Sequence, residues 1–83
     1  MSYGYSQRIV EANRKAASGS LGVALGRFCI SRDIPVARVA DDLGVSRMTI
    51  YKWMAGDTEP SKERAHMISK WMQKHSKRRQ PKH

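Results

Sequence analysis

Arg47, Met48, Tyr51 and Lys52 fall on one side of a short helix, expected at 47–54, when residues are spaced at about 100°; Ile50, Trp53 and Met54 fall on the other. The apolar side suits burial. The opposite side offers a guanidinium, a thioether, a phenol and an ammonium. A helix that only had to stay soluble would more usually carry Glu, Lys and Gln there. Aromatics, Met and Arg are enriched where surface becomes buried on binding, so this side reads as a recognition face. The plainer alternative is that Met48 and Tyr51 are partly buried against neighbouring helices.

A second helix must position this one. Val36, Val39, Ala40 and Leu43 share a stripe at the i, i+3, i+4, i+7 spacing. Gly44 interrupts the pattern where a helix end needs a left-handed residue. Ser46 then stands at an N-cap position. Ala40 is small, as required where two helices cross steeply with their backbones close. Helix, three-residue turn and second helix make a helix-turn-helix, whose usual partner in a basic chain is duplex DNA.

The charge supports a polyanionic partner. Among 83 residues, 16 are Lys or Arg and 7 are Asp or Glu, a formal net charge of +9. The length suits one domain that buries only about 60 % of its unfolded surface, so a partner subunit would add stability. One recognition helix reads only a few base pairs, so a homodimer is expected, at least on DNA. Trp71, Met72 and Met67 are the first candidates for its interface, with Val23 and Ile30 second. No apolar run approaches the roughly 20 residues that cross a membrane. The first residues hold no apolar signal core, so the bacterial cytoplasm or an infected host cell is the expected location.

Catalysis finds little support, and no cofactor is expected. His66 and His75 lie nine apart on one helix, His83 stands at the end, and no Cys or His spacing suits zinc. Asp41 and Asp42 are adjacent, so they do not share a helix face, and they read as solubilising groups. His75 reads as a helix-end cation. No glycine-rich phosphate loop occurs. The single cysteine, Cys29, lies beside an apolar stripe and reads as a packed small hydrophobe.

The remaining elements are also helical, so the fold is expected to be all-α: a bundle of four to five short helices. Residues 1–19 form an arm with a short helix from Ser6 to Ala17, residues 20–74 the helix-turn-helix domain, and 75–83 a tail. Ile9, Val10, Asn13 and Ala17 lie roughly along one side of the first helix. Ser20 can cap a helix from Leu21 to Arg32 with Leu21, Ala24, Leu25, Phe28 and Arg32 on one stripe. Gly22 and Gly26 sit four apart, which allows close approach of another backbone. Val23 and Ile30 need a cover of their own, either the first helix or a second subunit. Asp33-Ile34-Pro35 forces a sharp turn. Ser61 caps a last helix to about Lys74, with Ala65, Ile68, Trp71 and Met72 on its apolar side. The tail holds no acid and no apolar residue, so it is expected to be disordered, with Lys77, Arg78 and Arg79 free to meet phosphates.

Residues 21–72 resemble the small helix-turn-helix domains of the Cro and lambda-type repressor superfamily. The resemblance rests on Val39-Ala40, Leu43-Gly44-Val45-Ser46, Ile50, Trp53, Gly56, and the loop with Pro60. It implies that the first helix of the motif crosses the DNA backbone while the second enters the major groove. Carried over by position, Ser46, Arg47, Met48, Tyr51 and Lys52 meet DNA. The loop from Gly56 to Thr58 offers amides to phosphate. Val36 departs from the Gln common at its position and cannot touch phosphate. The implied role is a sequence-specific transcriptional regulator, a repressor of a size that suits a phage. The rival reading is an interaction protein that uses the same scaffold to bind and modulate a polymerase or nuclease.

Overall fold

The computed structural model describes residues 5–16 and 19–79, with backbone alone for 77–79. Five helices follow one another: α1 (Gln7–Lys15), α2 (Leu21–Ser31), α3 (Val36–Leu43), α4 (Arg47–Ala55) and α5 (Lys62–Arg79). The described residues contain no strand. The expected all-α architecture is what the chain adopts.

Short serine caps start most of the helices. Ser6 Oγ accepts from the Ile9 amide, Ser20 Oγ from Gly22, Ser46 Oγ from Thr49 and Ser61 Oγ from Arg64. Each satisfies one of the amides that a helix start leaves without a partner. At the other ends of α3 and α4, Gly44 (φ 70°) and Gly56 (φ 79°) adopt the left-handed conformation. The amides of Val45 and Asp57 then reach back to the carbonyls of Ala40 and Lys52. This is the wrap that ends a helix when a glycine permits it.

The core gathers Leu25, Cys29, Val36, Val39, Ala40, Leu43, Ile50, Trp53, Met54, Ile68 and Trp71. The stripe on α3 and the back of α4 are both buried, as their spacing requires. Helix α2 packs most extensively on α4. The glycines make that possible. A Cβ on Gly22 would stand 2.8 Å from Trp53 Cβ, and one on Gly26 would stand 2.9 Å from Met54 Cβ.

Helix α1 lies across α2 and α4 and is part of the same core. Val23 is 1 % exposed, so this chain covers it by itself and it offers no surface to a second subunit. Asn13 is the buried polar residue of α1, and its amide donates to the carbonyls of Val23 (3.1 Å) and Met54 (2.8 Å). Arg27 reaches from α2 to the end of α1, donating to the carbonyls of Asn13, Arg14 and Ala16. Ahead of α1, Tyr5 is buried and its hydroxyl donates to the Ile34 carbonyl. Residues 1–4, Ala17, Ser18 and 80–83 lie outside the described residues. The expected place of Ala17 on the first helix and the end of the tail fall there.

Three expectations need correction. Trp71 is only 7 % exposed and belongs to this chain's own core, so it is not free to form the expected dimer interface. Its ring meets Phe28 edge-on at 5.9 Å, and its Nε1 donates to Asp42 at 2.9 Å. Asp42 is therefore a tie between α3 and α5, not a solubilising group alone. His75 does not stand at the helix end. Helix α5 continues past Lys74 to Arg79, and His75 stacks on Trp71 at 4.0 Å, with Nδ1 2.9 Å from the Trp71 carbonyl.

Candidate nucleic-acid interface

The short apolar back of α4 fixes which side of it faces outward. Ile50 and Met54 are fully buried and Trp53 nearly so. With those three anchored, Arg47 and Lys52 are exposed and Met48 is 63 % exposed. Among the described residues neither Arg47 nor Lys52 has an ion-pair partner, whereas Arg14, Lys15 and Arg38 do. Two unpaired cations and an exposed thioether on a rigid helix leave charge and apolar surface for a ligand.

Ser46 stands at the start of this helix. Its Oγ accepts from the Thr49 amide at 3.1 Å and lies 3.0 Å from Thr49 Oγ1. The hydroxyl is oriented by the cap, while the residue as a whole is exposed. Tyr51 is half-buried and packs against the core, so the plainer expectation holds in part for it and fails for Met48. Tyr5 lies close enough for the Tyr51 charge to affect its titration.

The loop after α4 is held by Lys52, whose carbonyl accepts from Asp57 (2.9 Å) and Thr58 (3.4 Å). Gly56 also lies against α1: an added Cβ would stand 3.2 Å from Ala16 Cβ. The loop therefore leaves α4 where that helix meets the residue that follows α1. Thr58 is exposed, with its amide turned back toward Lys52. Lys77, Arg78 and Arg79 form the last turn of α5.

A family model described as Helix-turn-helix matches residues 27–73, more than half of the chain. The chain belongs to the helix-turn-helix family, in its lambda Cro/CI-type branch. The match begins inside α2 and ends inside α5, so it takes in α3, α4 and their turn and leaves α1 outside. It is a DNA-binding regulatory family. Comparison with curated proteins and with solved structures gives no match. Among the described residues no helix is long and apolar enough to cross a membrane, and no group of His, Cys, Asp and Glu could hold a metal ion.

Residue-by-residue reasoning missed Asn13, Tyr5 and Arg27, none of which lies on α4 but all of which hold the elements around it. Asn13 carried one usable signal, its place on the apolar side of α1. The other two carried none.

Proposed function

We propose that the protein is a sequence-specific regulator of transcription that binds double-stranded DNA, with α4 in the major groove and repression as its effect. The observation that carries this reading is the exposed set Arg47, Met48 and Lys52 on a helix whose opposite side is locked into the core. Arg47 takes the role of base reader, because its fork matches the two acceptors of guanine in the major groove. Met48 and Tyr51 add apolar contact. Ser46, Lys52 and Thr58 contact the phosphate backbone, which positions the helix without reading sequence. Lys77, Arg78 and Arg79 add phosphate contacts at the chain's end.

One α4 reads only a few base pairs, which seldom gives useful preference over a genome. Two copies related by a two-fold axis would read half-sites about 10–10.5 base pairs apart. Met67 and Ile30 remain at least partly exposed and are the residues left for that contact.

Selection from a randomised duplex pool with the purified protein tests the reading. The expected result is one enriched motif with inverted-repeat symmetry, bound less tightly as salt rises. Enrichment of no motif would rule out sequence-specific regulation.

A further inference from the structure

Between α2 and α5 lies a groove of about 380 Å³, remote from the recognition face in the sense that no residue of α3 or α4 lines it. Leu21, Phe28 and Met72 give it an apolar wall. Gln73 and Ser76 stand on its α5 side, and Arg32 completes it. The Arg32 guanidinium lies 4.0 Å above the Phe28 ring. Its Nε is buried and has no hydrogen-bond partner among the described residues. Buried arginine nitrogens are almost always paired, so an orphan N–H beside an open apolar groove marks a guanidinium whose hydrogen-bonding capacity this chain leaves unfilled.

We propose that this groove docks an acidic segment of a protein partner, one that places a large apolar side chain against Phe28 and Met72 and a carboxylate on Arg32. Stacking on Phe28 covers one face of the guanidinium and the Nε is closed off, but Arg32 as a whole is only half-buried, so its outer N–H groups are left for in-plane, charge-assisted hydrogen bonds to a carboxylate. Charge selects the kind of partner. This chain carries 16 basic residues against 7 acidic ones. Of those acids, Glu11 and Asp42 are already engaged, with Arg14 and Lys15 and with Trp71. A second copy seated in the groove would have to bring a carboxylate to Arg32, and its α5 offers Lys70 and Lys74 with Glu63 as its only acid; the contact between copies proposed above uses Met67 and Ile30, which do not line this groove. DNA phosphate would find its charge here but would have to desolvate against an apolar wall. An acidic segment with an aromatic or aliphatic tip satisfies both halves of the groove. Because its residues differ from those of the candidate DNA face, the inference stands apart from the DNA reading.

The test is a displayed random-peptide selection on the full chain, followed by anisotropy titration of the recovered peptide. Recovered peptides should share Asp or Glu beside a large apolar residue. Arg32→Met keeps the stem over Phe28 and should weaken binding about tenfold or more, whereas Arg47→Ala should leave it unchanged. Arg32→Lys should fall between, since it keeps charge and loses the fork. If Arg32→Met lowers the melting temperature too far, Met72→Glu, on a partly exposed residue, should abolish binding by repelling the acid. Recovery of no binder, of binders without an acid, or of binders indifferent to both variants would overturn the proposal. So would a dimer mass that Arg32→Met reduces to one subunit, because the groove would then belong to a second copy. A fall in DNA affinity on Arg32→Met would likewise overturn it and assign Arg32 to phosphate.

Discussion

The Asn13 side-chain nitrogen lies 2.8 Å from the carbonyl oxygen of Met54, which sits at the end of the helix that carries Arg47. The same nitrogen donates to Val23 at 3.1 Å. One amide on α1 thus ties α2 to α4, and it does so from outside the residues that match the family. The two bonds hold in a buried site where neither carbonyl can turn to water. Asn13→Ala should therefore cost about 2–3 kcal/mol, read as a lower urea midpoint at unchanged slope. Asn13→Asp should cost more at neutral pH, because it sets a carboxylate against two carbonyls. Equal stabilities for the two variants would show that the hydrogen bonds do not hold α1 in place.

The glycines of α2 make a paired comparison. Gly22→Ala would gain roughly 1 kcal/mol of helix propensity. Its new Cβ would meet Trp53 Cβ at 2.8 Å and the Trp53 carbonyl at 2.9 Å, and backbone there cannot yield cheaply. Overpacking of this kind costs about 1–3 kcal/mol, so the net effect should be destabilising. Gly19→Ala meets nothing within 4 Å and should be neutral or stabilising. Thermal melts of both variants, one falling and one not, check that α2 and α4 approach through Gly22.

Much of this arrangement was legible in the sequence, for a local reason. The stripe of Val36, Val39, Ala40 and Leu43, the left-handed Gly44, and the Ser20, Ser46 and Ser61 caps all obey rules that act within one or two helical turns. The facing of α4 followed from Ile50, Trp53 and Met54 alone. What stayed hidden depends on partners far along the chain. Asn13 and Met54 are 41 residues apart, and Trp71 and Asp42 are 29 apart. A Trp beside two Met on a polar helix looks the same whether it faces a second subunit or this chain's own core. Arg32 sat on the apolar stripe of α2, but nothing in the sequence told that its guanidinium would lie on Phe28.

Alkaline pH should expose the cost of burying two ionisable groups. Burial pushes the Cys29 thiol up from near 9 to about 12. Burial also raises the Tyr5 hydroxyl above its ordinary value, with smaller contributions from Cys29 and Tyr51. The unfolded thiol releases its proton near pH 9, whereas the folded one holds it until about 12. Stability from this group is therefore complete below pH 9 and is lost as pH rises through that window. Other changes with pH act on both chains alike, so the measurement is a difference. Urea midpoints of Cys29→Ala should decline less steeply between pH 9 and 10.5 than those of the parent chain. Parallel declines would mean that the thiol is not held neutral by the fold.

Base reading by Arg47 has its own signature. If the guanidinium meets guanine, Arg47→Ala should cost roughly 1–3 kcal/mol on the selected site and relax preference at one base pair. Lys52→Ala, removing a phosphate contact, should weaken all duplexes alike and reduce the salt slope by about one unit. Binding measured across a panel of single-base-pair variants separates the two patterns. An Arg47→Ala protein with the parent's ranking of those sites would remove Arg47 from the reading role.

The end of the chain tests the electrostatic part of the same reading. Lys77, Arg78, Arg79 and Lys82 stand within six residues with no acid among them. Such a run repels itself and has nothing to bury, so its contribution comes when condensed counterions leave the duplex and it takes their place. That contribution carries no sequence information. Deleting residues 77–83 should therefore weaken selected and random duplexes by similar factors. It should also flatten the slope of log affinity against log salt by about three to four units if all four cations meet phosphate, at roughly 0.9 per contact. Helix α5 continues to Arg79, so the first three of these cations start from one helical turn. They can be split from Lys82 by stopping the chain after Arg79, which should remove about one unit of slope and leave the rest. A truncated chain with the parent's slope would make the run a solubilising end. A loss confined to the selected site would mean that these residues read bases.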